Sequence, residues 1–240
     1  ALASVGGSSA VLTNFVIEFF TGLSAGATVV ISQFYGARDL KRLSKGLHTA
    51  YAFSIAASIL ISVVGWFATP SLLHLLKTPA DVIPDSILYL RIYFLGIIFT
   101  LIYNMGSSIM RAVGDSRRPL MYLVVCCVIN IVLDIVLVIG FRMGIAGAAI
   151  ATVISQGVSA VLVTRALMYS YGILKLELRA IRFHASLLKA ELRIGIPGGI
   201  QSFGYSISNI IIQAVINDFG TDTACLLYTS PSPRDRTRSR

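Results

Sequence analysis

Charge is what this sequence has least of. Aspartate, glutamate, lysine and arginine together make up 13% of its 240 residues, against 55% hydrophobic residues, and the mean hydropathy is +0.79. Such a balance excludes an ordinary soluble domain. Cysteine is scarce as well: Cys126 and Cys127 adjoin each other and Cys225 stands apart, a pattern that gives neither a disulfide framework nor zinc spacing. Each cysteine reads as a small buried hydrophobe. His48, His74 and His184 are too dispersed to hold a metal. There is no nucleophile–base pair, phosphate loop or HExxH motif, so neither an enzyme nor a cofactor is expected.

What the chain has is long apolar runs. A membrane-spanning helix needs about 20 mostly apolar residues, and six stretches qualify: 6–36, 45–77, 86–111, 119–140, 143–164 and 194–217. The second contains no Asp, Glu, Lys or Arg between Lys45 and Lys77. Richness in Gly, Ala and Ser suits helices that pack closely in lipid. The runs are too long, and too unlike an alternating pattern, for a membrane barrel. The expected fold is therefore all-α: a polytopic membrane bundle of about six transmembrane helices.

The net charge of +9 is unevenly distributed. Lys and Arg number four at 38–45, three at 111–118 and six at 165–193, with few in the connections between. This alternation predicts that those three connections face the cytoplasm, with residue 1 outside, in a multi-pass plasma (inner) membrane protein. The basic residues would then set orientation and meet anionic lipid headgroups. They lack the clustered face and aromatic platform that nucleic acid requires, so none is expected as a partner.

The chain opens on ALASVGG, with neither an initiator Met nor a basic leader, and is expected to be truncated. At the other end CLLYTSPSPRDRTRSR (225–240) turns abruptly to Ser, Pro and Arg and would place four arginines outside, against the orientation rule. A foreign join is the expectation there, with a disordered natural tail as the alternative. The turn at 36–46 and the proline-bearing connection at 70–86 should be short or irregular, whereas 172–193 reads as an amphipathic segment at headgroup level. GIPGGIQSFG (195–204) is permissive for bending, either as a flexible element or as a packing kink.

Asn130 and Asp134 stand four residues apart in the fourth run, so a helix places them on one face. A short aspartate stem cannot reach the interface from there. Either Asp134 faces the bundle interior and exchanges a proton or sodium, or it is a neutral group bonded to a neighbouring helix. Thr152 lies at a similar depth, about 9 Å from the same boundary, if the fourth and fifth runs are antiparallel neighbours. It could complete an oxygen-rich site or merely bond its own backbone. Glu18 could carry a second proton, line a cavity or pair with a polar group. Asn104, Ser107 and Ser108, with Gln201, Ser206 and Asn209, could line a lumen or bridge helices. Tyr35, Tyr51, Trp66 and Tyr169 read as an interfacial aromatic belt.

Several stretches together resemble the multidrug and toxic compound extrusion (MATE) transporters: GLSAGATVVISQFYGARD (22–39), NMGSSIMRAVGDSRRP (104–119), NIVLDIVLVIG (130–140) with GIAGAAIATVISQ (144–156), and GIPGGIQSF (195–203). The resemblance covers residues 1 to about 224. It implies part of a fold of twelve helices in two lobes: helices two to six over 1–171, an inter-lobe linker over 172–193, and the seventh helix over 194–224. It also implies an antiporter, coupled to H+ or Na+, that exports small organic, often cationic compounds as a monomer. The family's amino-lobe cation site matches Asn130, Asp134 and Thr152, while its first-helix Asp would precede residue 1. Some members carry a seventh-helix Glu that Ile194–Asn217 lacks, which favours the amino-lobe site. The rival functions are a lipid-linked oligosaccharide flippase of the wider superfamily and a non-transporting membrane scaffold.

Overall fold

The computed structural model describes residues 8–75, 83–169 and 175–218. Six long helices follow one another: α1 (Ser8–Gly36), α2 (Leu40–Leu75), α3 (Ile83–Ala112), α4 (Arg117–Asp134, continued by a π-helical segment Ile135–Gly140), α5 (Gly144–Tyr169) and α6 (Ala185–Asp218). Among the described residues there is no strand. The first five helices are long and apolar enough to cross a membrane, which makes this a multi-pass membrane protein. The sixth expected span lies within α6, which is interrupted by Gln201, Ser202 and Ser208 and is not among those five.

Helix α3 is the spine of the bundle. Its Leu90, Phe94, Ile97, Leu101, Met105 and Ile109 recur at helical spacing and are all buried against Ile31, Leu47, Tyr51, Val163 and Leu167. Lipid gives no hydrophobic reason for helices to associate, so closeness of fit must hold them together. A methyl group on Gly65 would strike the Phe94 ring, one on Gly96 would strike Val153, and one on Gly106 would strike Val163. Tyr51, expected in the aromatic belt, is instead buried and joins α2 to α5 through a 3.1 Å hydrogen bond to Thr164.

The tightest contact is between α1 and α6. Gly22 and Gly26 on α1 meet Gly195, Gly198 and Gly199 on α6, so two small-xxx-small faces cross backbone to backbone. A methyl group on Gly22 would lie 2.6 Å from the Gly198 carbonyl oxygen, and one on Gly195 would lie 2.5 Å from that of Leu23. The glycines of GIPGG therefore serve close packing here, and Pro197 is accommodated inside the helix.

Two of the three connections differ from expectation. Pro70 lies within α2 and Pro84 in the first turn of α3, so of the segment 70–86 only 76–82 falls outside the described residues. Asp39 accepts a 3.0 Å hydrogen bond from the Arg42 amide and caps α2, leaving a turn of three residues after Gly36. The whole of 172–193 is expected as linker, yet α6 starts at Ala185, because ASLLKAELR is rich in strong helix formers and contains no breaker. Cys127, expected to be buried like Cys126, is exposed on the outer face of α4. The side chains of Ser206 and Asn209 and the tail 225–240 lie outside the described residues.

The early start of α6 brings Glu191 into the protein, in the turns before the expected span Ile194–Asn217. It is 4% exposed, its Oε1 has no hydrogen-bond partner among the described residues, and it sits beside Gly46 of α2 and Gly26 of α1. Burial pushes its carboxyl up to about 8 from 4.5. The charged groups nearby on the packed helices, Lys45 on α2 and Lys189 and Arg193 on α6, are exposed and form no ion pair with it. His48 on α2 has both ring nitrogens engaged elsewhere.

Two outcomes follow from this seam. Gly22→Ala or Gly26→Ala should cost about 1–3 kcal/mol by overpacking, outweighing the ~1 kcal/mol an alanine gains in a helix. Gly36→Ala, with open space around it, should lower no melting temperature in detergent. Glu191 is protonated in the fold but ionised when unfolded above its ordinary range, so its contribution is full below about 4.5 and lost as pH rises towards about 8. The melting temperature should accordingly be higher at pH 5.5 than at pH 8.5, and Glu191→Gln should shrink that difference.

Candidate functional site

Helix α4 has two unlike faces. Met121, Leu123, Val124, Val125, Val128, Ile131, Val132, Ile135, Val136 and Ile139 are exposed, an unbroken hydrocarbon surface fit for lipid. Tyr122, Cys126, Ile129, Asn130, Leu133, Asp134 and Leu137 form the opposite, more buried stripe. Both polar residues of the run thus turn towards protein. The Asp134 Oδ1 and the Asn130 Nδ2 are buried, and neither has a hydrogen-bond partner among the described residues. Asp134 also forms no ion pair there.

Two buried polar atoms with unused bonding capacity, one turn apart, are costly unless something engages them. A proton or a small cation would engage the Asp134 oxygen, whereas the Asn130 Nδ2, a donor, needs an acceptor. Among the described residues no cluster of His, Cys, Asp and Glu could hold a transition metal.

Helix α5 packs beside this stripe, with Gly147 against Leu137. From that level Asp134 is about 4.5 Å and Thr152 about 7.5 Å further along the bundle, at 1.5 Å per residue. With α4 and α5 joined by the short turn at 141–143, the two residues fall within about 3 Å of one depth. The Thr152 hydroxyl donates to the Ala148 carbonyl at 3.0 Å, which leaves its oxygen lone pairs available. Sequence reasoning missed Tyr89 on α3, which lies close enough to Asp134 to feel its charge and stacks on Tyr93 with ring centroids 6.2 Å apart. Nothing in the α3 sequence alone indicates which helix face meets α4.

The chain changes pitch directly after Asp134. Residues Ile135–Gly140 are π-helical, with the Phe141 amide bonded to the Val136 carbonyl at 2.9 Å, before a turn in which Arg142 takes the left-handed φ of 54°. Such wide turns occur disproportionately at functional sites.

A second polar location lies between α1 and α6. Glu18, Thr21, Gln201, Ser202, Tyr205 and Ser208 line a cavity of about 690 Å³. The structure thus joins Glu18 and Gln201 while keeping them on helices other than those carrying Asp134. Phe15 and Phe203 meet edge to face at 4.5 Å across the same two helices. Asn104 and Ser107 belong to neither location. The Asn104 amide bonds the Thr100 carbonyl of its own helix at 2.9 Å, and Ser107, 1% exposed, accepts a 3.0 Å hydrogen bond from Arg111, as Ser108 does. Both hold α3 and its terminal arginine in place.

A cation also lies within the bundle. Arg91 on α3 stands over the Trp66 ring of α2 at 5.2 Å, and its Nε is buried without a hydrogen-bond partner among the described residues. Trp66 is therefore a cation–π partner rather than simply part of an interfacial belt.

Comparison with known proteins agrees with this geometry. The MatE family model matches residues 1–136. The Bacillus subtilis "Probable multidrug resistance protein YpnP" is 35% identical over 92% of this chain and 49% of its own length. The "Multidrug export protein MepA" of Staphylococcus saprophyticus is 23% identical over 81% of this chain and 43% of its own. Two solved structures, described as the inward-facing and the outward-facing conformation of a multidrug resistance MATE family transporter of the MOP superfamily, are each 25% identical over 95% of this chain. They superpose with TM-scores of 0.81 and 0.83 and are covered over 52% and 51% of their own lengths. The chain spans about half the length of the curated relatives it matches.

Proposed function

Because this chain belongs to the multidrug and toxic compound extrusion family, we propose that it is the cation-handling half of an exporter that moves small organic compounds in exchange for H+ or Na+. The observation that carries this reading is the buried, partnerless Asp134 Oδ1 on the protein-facing stripe of α4, one turn from Asn130. Thr152 is the third oxygen donor and Tyr89 a neighbouring hydroxyl. A single carboxylate without a fixed counter-charge can alternate between loaded and empty states, which a permanent arginine partner would prevent.

The α1–α6 cavity supplies a place for the exported compound. It combines one carboxylate, Glu18, with amide, hydroxyl and aromatic surface, a lining suited to an organic cation. Helices α1–α5 then act as the amino lobe and α6 as the first helix of the other lobe, so that the cavity lies between lobes.

Coupling requires the cation to favour one conformation and the compound the other.

The test is ion-driven efflux of a fluorescent organic cation from proteoliposomes, using a chain of the relatives' full length that carries this segment. Asp134→Asn should abolish the dependence of efflux on an imposed proton or sodium gradient while leaving equilibrium dye binding within a few-fold. Glu18→Gln should do the reverse, weakening dye binding with gradient dependence kept. Unchanged gradient-driven efflux in Asp134→Asn would remove the coupling role.

A further inference from the structure

On the basic side of the bundle, beside the first turns of α2, lies a cavity of about 550 Å³ lined by none of the residues of the Asp134 pair or of the Glu18 cavity. Lys45, Lys175, Arg179 and Arg182 line it together with His48 and a single carboxylate, Glu177. Glu177 is engaged by Lys175 at 3.9 Å. Among the described residues Lys45, Arg179 and Arg182 form no ion pair, whereas Arg42 and Arg118 nearer other turns are paired with Asp39 and Asp115. Three cations facing one cavity without compensation repel one another unless an anion joins them.

The walls are fixed from beneath. His48, 4% exposed, bonds the Ser44 carbonyl through Nδ1 at 2.6 Å and accepts the Glu177 amide N–H at Nε2 at 3.0 Å. Those two bonds require the neutral ring with its proton on Nδ1. Leu176, 1% exposed, is buried between these positions and its amide bonds the Leu167 carbonyl at 3.1 Å. One turn along α2, Thr49 Oγ1 lies 3.4 Å from the Arg182 carbonyl oxygen and 3.2 Å from His184 Nδ1. The backbone that presents Lys175, Arg179 and Arg182 is thus tied to α2 and α5, so the cations converge without being ordered anew by a ligand.

Lys45 belongs to the 38–45 connection, whose charge places it at the headgroups of the cytoplasmic leaflet, where anionic lipids concentrate. Guanidinium groups take phosphate oxygens in pairs, and lysine adds a point charge. We propose that this cavity is a binding site for a phosphate group, presented either by an anionic phospholipid headgroup or by a free phosphate from the cytoplasm. Its charge is opposite to that of the Glu18 cavity, and it lies around the first turns of α2 on the basic side of the bundle.

Native mass spectrometry of the detergent-solubilised 240-residue chain separates the sources. Dioleoyl-phosphatidylglycerol should remain bound at concentrations where dioleoyl-phosphatidylcholine does not. The Arg179→Ala/Arg182→Ala variant should weaken its retention about tenfold or more, two charge-assisted bonds being lost, whereas Arg142→Ala should leave it unchanged. Retention of inorganic phosphate alone, lost in the same variant, assigns the site to the free ion. Should that variant fail to give the helical circular dichroism of the parent, Lys45→Gln serves in its place, with the same expectation. Equal retention of phosphatidylglycerol and phosphatidylcholine with no phosphate bound, or retention unaffected by the cavity substitutions, overturns the proposal.

Discussion

Backbone-to-backbone contact between α1 and α6 is the constraint on which the polar features of this protein depend. Where Gly22 and Gly26 meet Gly195, Gly198 and Gly199, no side chain separates the two helices. In lipid such closeness replaces the hydrophobic effect as the source of association, because dispersion contacts and weak backbone interactions grow as the axes approach. The crossing buries Glu191 at one end and leaves the Glu18 cavity towards the other. A bulkier crossing would open the first and reshape the second together.

Helix α4 obeys a different rule. It is peripheral, and its outer face is hydrocarbon apart from Cys127, so its position comes from what the inner stripe can bear. Placing Asn130 and Asp134 there costs less than turning them to lipid, but their unpartnered atoms keep part of the cost unrecovered. A neutral hydrogen-bonded aspartate would recover it by pairing with a neighbour. Among the described residues the Asp134 Oδ1 has no such partner.

The apolar runs were legible because charge spacing alone marks them, and the 3.6-residue period put Asn130 and Asp134 on one face without any knowledge of neighbours. The basic connections gave orientation for the same reason. Contacts between helices were not legible. Tyr51, Trp66 and Tyr89 look alike as aromatic residues in apolar runs, yet one bridges α2 and α5, one lies under Arg91 and one lies beside Asp134. Glu191 was hidden by a boundary: a polar, amphipathic stretch reads as surface, and only the continuation of α6 back to Ala185 carries it inward. Gly195–Gly199 suggested bending because glycine permits it, whereas the opposing glycines that make it a seam lie some 170 residues away.

The wide turn after Asp134 has a geometric corollary. A π turn holds one residue more than an α turn can accommodate, so tightening Ile135–Gly140 to α geometry would swivel everything beyond it by roughly 100° about the helix axis. Residues up to Asp134 would stay in place while the outer end, with its Phe141–Met143 corner, screwed round. The carboxylate therefore stands at the junction between a stationary stem and a segment able to store a quantised twist.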